Sequence, residues 1–196
     1  MKRAFDLVFS LIVLILFLPF GIIISILILL SSPGGVFYRQ ERIGKNGIPF
    51  TLFKFRSMRT NADQSGRLTV GMKDSRITKV GVFIRKYKLD EFPQFLNVLN
   101  GSMSVVGPRP EVREFVELYT MEQKKILEVK PGITDYASLE YFNENEVLAK
   151  SSDPKKTYIE EVMPHKIKIN QKYIDKPTIG HDLKIIGKTI RRILFY

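Results

Sequence analysis

Between residues 7 and 30 the chain carries no charge. As a straight helix rising about 1.5 Å per residue, this run is long enough to cross a hydrocarbon core about 30 Å thick. Pro19 lies in its middle with Gly21 close by. An interior proline removes a backbone hydrogen bond and kinks a helix, so two half-helices are expected. After Gly34 and Gly35 the pattern shortens. Residues 36–39 and 48–55 read as strands joined through Gly44-Lys45-Asn46-Gly47, whose Asn-Gly pair is a hairpin signal. Residues 60–76 are polar and rich in turn formers, and read as a loop. Thr78 suits the cap of a helix that carries Arg85.

Leu89, Phe92, Phe95, Leu96 and Leu99 recur at three- and four-residue intervals. Pro93 suits a first helical turn and Gly101 the position that ends a helix. Residues 110–128 read as a further helix and 129–134 as a turn into an extended segment. Asp153-Pro154 opens another helical stretch, Pro164 interrupts it, and Gly180 precedes the last one. In that last stretch Ile185, Ile186, Ile190, Ile193 and Leu194 alternate with Lys184, Lys188, Arg191 and Arg192 at helical spacing. Such a basic amphipathic helix suits an anionic membrane surface or packing against a core. The pattern predicts an α+β fold, mainly helical, with a small β-hairpin or sheet and an N-terminal membrane helix.

Length and charge narrow the function. At 196 residues the chain holds one domain and an anchor. Its formal net charge of +11 points to anionic partners, among which are nucleic acid, phospholipid headgroups and nucleotide substrates. With no cysteine and two histidines, a metal would be bound through oxygens, which suits magnesium and not zinc. The apolar run is longer than a secretory signal core, and Ser31-Ser32-Pro33-Gly34-Gly35 is a poor cleavage site. Lys2 and Arg3 precede the run, while Arg39, Arg42 and Lys45 follow it, so the positive-inside rule gives no asymmetry. A spanning helix and a re-entrant one both remain open on these residues.

The candidate chemistry is concentrated between residues 85 and 110. Asp90 and Glu91 fall at a predicted helix start, where the dipole favours the ionised form, with Arg85 just upstream. A carboxylate so placed serves as a nucleophile, holds a hard cation, or simply caps the helix. Gly107-Pro108-Arg109-Pro110 fixes an arginine in a rigid turn, and a guanidinium fork matches phosphate oxygens. Lys54 and Arg56 fall on one face of the second strand by its two-residue period. They make either a phosphate-binding face or a charged strand edge.

Residues 85–110 resemble the signature block of the bacterial sugar transferases, and the chain is similar to their small monotopic phosphoglycosyl transferases. The likeness runs from the apolar N-terminus through Lys54-Phe55-Arg56-Ser57-Met58, the Asp74 to Gly81 pattern and Lys130-Pro131-Gly132-Ile133-Thr134 to the end. It implies a re-entrant membrane segment over residues 1–35 and a catalytic domain over 36–196 on the cytoplasmic face of the bacterial inner membrane. It also implies transfer of a sugar 1-phosphate from a UDP-sugar to undecaprenyl phosphate, with release of UMP. In that scheme Asp90 is the nucleophile, and Glu91 binds Mg2+ with Asp90 or helps deprotonate the acceptor. Arg109, Pro108, Pro110, Lys54, Arg56 and Arg85 hold substrate. Many members continue the Lys-Pro-Gly-Ile-Thr motif with Gly and then Trp-Gln, whereas this chain has Asp135-Tyr136-Ala137, a departure that bears on substrate specificity. Other classes fit less well. No D-x-D metal motif of a glycosyltransferase occurs, and no base-reading motif supports a nucleic-acid partner. The intact dyad stands against a non-catalytic membrane scaffold.

Overall fold

The computed structural model describes residues 1–60, 62, 74–175 and 177–195; most of the loop expected over 60–76 lies outside these. Helix α1 (Lys2–Ser31) is one continuous element. This corrects the two half-helices expected around Pro19: a proline deletes a single backbone donor, and the helical residues on both sides carry the ladder past it. Strands β1 (Phe37–Ile43) and β2 (Pro49–Phe55) form an antiparallel hairpin with Phe37 opposite Phe55 and Ile43 opposite Pro49. Asn46 and Gly47 take φ values of 57° and 76°, the positive pair that a tight hairpin turn demands. Helix α2 (Lys79–Lys86) is capped by Thr78, whose Oγ1 accepts the Gly81 N–H at 2.9 Å. A 3₁₀ turn (Leu89–Glu91) then leads into α3 (Gln94–Asn100), which ends at Gly101 as the pattern predicts.

Strands β3 (Ser104–Val106) and β4 (Gly132–Thr134) pair in parallel, Ser104 with Gly132 and Val106 with Thr134. Just past β3, Gly107 and Gly132 press backbone against backbone. A Cβ on Gly132 would lie 2.1 Å from the Gly107 nitrogen, so glycine is required there. The helix expected over 110–128 is instead a short α4 (Arg113–Val116) and a 3₁₀ segment (Gln123–Glu128). The break is a capping box: Thr120 Oγ1 accepts the Gln123 N–H at 3.2 Å while Gln123 Oε1 accepts the Thr120 N–H at 2.9 Å.

Helices α5 (Tyr136–Glu140), α6 (Glu144–Ala149), α7 (Pro154–Thr157), α8 (Met163–Ile174) and α9 (Ile179–Leu194) complete the domain. Asp153 caps α7 by accepting the Lys156 N–H at 3.0 Å. Pro164 does not interrupt the following stretch. It sits in the first turn of α8, where its missing N–H costs little, and a π turn (Tyr158–Val162) joins α7 to α8 ahead of it.

Two hydrophobic clusters fill the domain, one around Val112, Phe115, Tyr158, Val162 and Ile167, the other around Leu52, Val98, Met103, Val106 and Ile185. A third joins Ile24 and Ile28 of α1 to Phe55 and Ile84. Helix α9 buries Ile185 and Ile186, while Leu183, Ile190, Leu194 and the basic residues stay exposed. Both expected uses of that amphipathic helix therefore have a face available.

Helix α1 is fastened at both ends to the same domain. Near its start, Arg3 donates to the Val98 and Leu99 carbonyls at 2.6 and 3.0 Å. Asp6, buried among β3 residues, accepts Ser104 Oγ–H at 2.9 Å and the Val105 N–H at 3.1 Å. Midway, the Phe17 and Phe92 rings stack with centroids 3.7 Å apart. Leu11, Ile15, Leu16, Leu18, Ile22, Ile26 and Leu30 face outward, each more than half exposed, so the opposite side of the helix is a continuous apolar surface.

Candidate active site

The dyad is set by its neighbours on both sides. Lys88 takes a left-handed φ of 55°, an uncommon conformation for a residue with a side chain, and turns the chain sharply into the 3₁₀ turn. Behind the turn, α3 is pinned to the free edge of β2 by Asn97, which is fully buried. Its Oδ1 accepts the Phe53 N–H at 3.0 Å and its Nδ2 donates to the Thr51 carbonyl at 2.7 Å. That side chain takes the place of a third strand and fixes Lys54 beside the dyad.

Glu91 is gripped by two cations. Its Oε1 accepts Lys54 Nζ at 2.9 Å and Arg109 Nη2 at 2.5 Å, and its Oε2 accepts Arg109 Nη1 at 3.1 Å. Burial alone would raise the Glu91 carboxyl, but the charges of Arg109 and Lys54 and the paired hydrogen bonds outweigh it and hold Glu91 well below the carboxylate range. Asp90 goes the other way. Burial dominates and raises it, and the Glu91 charge adds to the rise against the opposing pull of Lys54 and Arg85. The expectation that a helix start favours the ionised form of both carboxylates is thus corrected for Asp90: the dyad lies on a one-turn 3₁₀ segment, and burial is the largest influence on Asp90. Lys54 is itself lowered by burial, partly offset by Glu91.

Asp90 Oδ1 is buried and has no hydrogen-bond partner among the described residues. An oxygen of this kind is costly unless something charged or protic meets it. Asp90 borders a cavity of about 1240 Å³ that is also lined by Lys54, Arg85, Glu91 and Arg109 and by the apolar Phe9, Val13, Phe92, Ile190 and Ile193. The lining brings cations and apolar side chains together, the latter including Phe9 and Val13 of α1 and Ile190 and Ile193 of α9.

A family model described as bacterial sugar transferase matches residues 1–196. The chain belongs to the bacterial sugar transferase family. It is 39% identical over 196 residues to the UDP-N-acetylgalactosamine-undecaprenyl-phosphate N-acetylgalactosaminephosphotransferase of Aeromonas hydrophila, covering 98% of this chain and 43% of that protein. It is 36% identical over 198 residues to the UDP-glucose:undecaprenyl-phosphate glucose-1-phosphate transferase of Escherichia coli (strain K12), covering 97% of this chain and 39% of that protein. The chain thus spans about two fifths of the length of both relatives.

Within this sugar transferase, Asp90, Glu91, Lys54, Arg85 and Arg109 come together as the sequence predicts, and three expectations need revision. Arg56 borders the cavity, but its guanidinium caps the end of α1, donating to the carbonyls of Ser32 at 2.8 Å and Pro33 at 2.5 Å. The strand ends at Phe55, so the two-residue period no longer places residue 56. Pro108 and Pro110 are buried and line no part of the cavity. They act through the backbone: the Pro108 carbonyl accepts the Gly132 N–H at 2.9 Å and the Pro110 carbonyl accepts Arg42 Nη1 at 3.0 Å. The Arg109 fork, matched to phosphate oxygens in the sequence reading, already holds Glu91.

Residues that the sequence pattern did not mark also shape the site. Lys88 lays its amine 5.0 Å from the centre of the Phe142 ring. Farther along the cavity, Tyr158 O–H donates to Glu111 at 2.5 Å and Lys166 Nζ donates to Glu144 at 2.6 Å. These pairs join segments 22 to 47 residues apart, beyond the reach of local spacing.

Proposed function

We propose that this transferase moves a sugar 1-phosphate from a UDP-sugar to undecaprenyl phosphate in two displacements through Asp90. The observation that carries the reading is that Asp90, a carboxylate with an unpartnered oxygen, borders a cavity lined both by the cations Lys54, Arg85 and Arg109 and by apolar side chains. In the first step a carboxylate oxygen of Asp90 forms a bond to the sugar-bearing phosphorus. The bond from that phosphorus to the bridging oxygen breaks, and the electron pair leaves on UMP. In the second, an oxygen of undecaprenyl phosphate attacks the same phosphorus and the acyl phosphate bond breaks, restoring Asp90. Lys54, Arg85 and Arg109 supply positive charge for the phosphate oxygens in both steps.

The donor set fits a magnesium ion. Mg2+ is held by one or two carboxylates together with substrate phosphates and water, and the Asp90 carboxylate borders the cavity without a hydrogen-bond partner on Oδ1, with Glu91 adjacent. Bound there, the ion would neutralise diphosphate charge and ease departure of the nucleotide. Glu91, whose oxygens are taken up by Arg109 and Lys54, acts chiefly as the anion that holds those cations over the site, and gives up part of that grip when phosphates arrive. Incubating the membrane-purified protein with undecaprenyl phosphate, Mg2+ and a panel of UDP-sugars should release UMP for at least one of them. Silence across the panel, with the protein folded, would refute the reading.

The membrane reading follows from α1. Its outward face is apolar along the whole length, yet residues near both ends are fastened to one domain. A spanning helix sets its ends on opposite faces of a bilayer, where one domain of this size cannot hold both. On this reading α1 sits in one leaflet with both ends on one face, the cytoplasmic face being the one that the net charge of +11 favours. The apolar residues that α1 and α9 contribute to the cavity lining, Phe9, Val13, Ile190 and Ile193, admit the isoprenoid chain from that side. Single cysteines placed at Lys2 and at Leu194 should both resist an impermeant thiol reagent in intact cells. Labelling at residue 2 alone would establish a spanning helix instead.

A further inference from the structure

Between Pro108 and Pro110 the Arg109 turn has a single backbone donor, because proline has none. That N–H points at Asp135, donating to Oδ2 at 2.8 Å. The same Oδ2 accepts Nδ2 of Asn170, on α8, at 2.9 Å, while Oδ1 accepts the Ser138 N–H at 2.5 Å and so caps α5. Asp135 is 1% exposed and Asn170 3% exposed, and a carboxylate buried that deeply needs donors on both oxygens. Only one oxygen is used by the helix cap. The other is given over to the Arg109 turn and to α8, neither of which a cap requires. Asp135 does not line the cavity, so any effect it has on substrate passes through Arg109.

We propose that Asp135 is a positioning residue for the transfer site: its Oδ2 fixes the backbone of the Arg109 turn, and thereby the guanidinium that grips Glu91, with Asn170 holding the carboxylate in place. The proposal rests on the functional reading above, in which Arg109 serves the phosphates. The path runs from Asn170 to Asp135, through the Arg109 backbone, and across the guanidinium to Glu91 and Lys54. A carboxylate is the side chain that can do this, since it presents two acceptor oxygens and no donor. Asparagine would turn an NH2 group toward one of three N–H groups.

Serine separates the two roles of Asp135. It is as good a helix cap, but its one hydroxyl cannot also serve Arg109 and Asn170. If Asp135 only caps α5, Asp135→Ser should keep near-native UMP release from a UDP-sugar. If it positions Arg109, kcat/KM for that release should fall about tenfold, in keeping with the cost of misplacing a group that contacts substrate. Arg109→Lys alone, which loses the planar fork, should cost one to two orders of magnitude. Adding Asp135→Ser to Arg109→Lys should then cost less than about threefold, because both changes disable the same element. Equal losses in the two backgrounds, or no loss from Asp135→Ser in the parent, would overturn the proposal. Should Asp135→Ser lack a cooperative melting transition, Asn170→Ala replaces it in the same cycle, with the same non-additivity expected. Hydrogen exchange tests the contact without turnover, because the peptide from Pro108 to Pro110 carries one backbone amide. It should be protected in the parent and exposed in Asp135→Ser, and rapid exchange in the parent rejects the contact. A parent that releases no UMP refutes the functional reading, and the exchange measurement then decides the positioning role by itself.

Discussion

Asp90→Asn should abolish transfer while making the folded protein more stable. An amide is a poor nucleophile, so neither displacement can proceed, and UMP release with or without acceptor should fall to background. The stability gain has a separate cause. Burial raises the Asp90 carboxyl in the fold, so its ionisation opposes folding. That penalty is absent below the ordinary carboxylate pKa of the unfolded chain, grows as pH rises, and is complete above the raised folded value. The Asn variant should therefore melt higher than the parent at neutral pH, by roughly 2–4 °C for each kcal/mol relieved, and the two should converge in acid. The same shift sets the pH profile of the parent. UMP release should fall on acidification at a pH above the usual carboxylate range, as Asp90 takes up its proton. Paired pH series of melting temperature and UMP release check both halves. An Asn variant that still turns over would remove Asp90 from the nucleophile's role.

Glu91→Gln should do the opposite to stability. The carboxylate is largely buried between Arg109 and Lys54, its side chain 13% exposed, and its removal leaves two cations facing each other with no anion between them. Breaking one side of a buried ion pair costs roughly 3–5 kcal/mol, so the midpoint of denaturant unfolding should drop accordingly. The sign with pH follows from the lowered Glu91 carboxyl. Its contribution is fully present above the unfolded carboxylate value and is lost only as pH falls through the depressed folded value. The difference between parent and Gln variant should therefore be constant at neutral pH and shrink only in strong acid. Because Arg109 and Lys54 lose their fixed orientation, UMP release should also slow, but a reduced burst should survive in the folded fraction, since Asp90 remains. A Gln variant with unchanged stability would show that the three groups are not coupled.

Much of this arrangement is legible from the amino-acid sequence where a short-range rule decides the geometry. The Gly101 helix end, the Asn46-Gly47 turn and the Thr78 cap each follow from one turn or capping rule and appear in the structure, whereas the helical spacing from Leu89 resolves into a 3₁₀ turn followed by α3. The dyad and the Pro-Arg-Pro turn stand out because their residue types are unusual side by side. Arg56 misleads because period two says nothing once the strand has ended, and the helix end that it caps is more than twenty residues away. The helix expected over 110–128 fails at Thr120 and Gln123, a capping box hidden inside a helical pattern. Asp135 looks like a departure bearing on specificity. Its contacts with Arg109 and Asn170, 26 and 35 residues distant, are fixed by how β4, α5 and α8 pack, and no local pattern encodes them. The directions in which Asp90 and Glu91 titrate are likewise invisible until burial and the two cations are placed together.

The central claim is that Asp90 carries the sugar phosphate, and intact-mass spectrometry of the protein with UDP-sugar and Mg2+, in the absence of undecaprenyl phosphate, tests it most directly. The account predicts a mass gain of one sugar phosphate, release of no more than one equivalent of UMP, loss of the adduct on hydroxylamine treatment, and its absence in Asp90→Asn. Turnover that begins only when both substrates are present, with no adduct at any time point, would contradict it and make Asp90 a metal ligand or general base in a direct transfer.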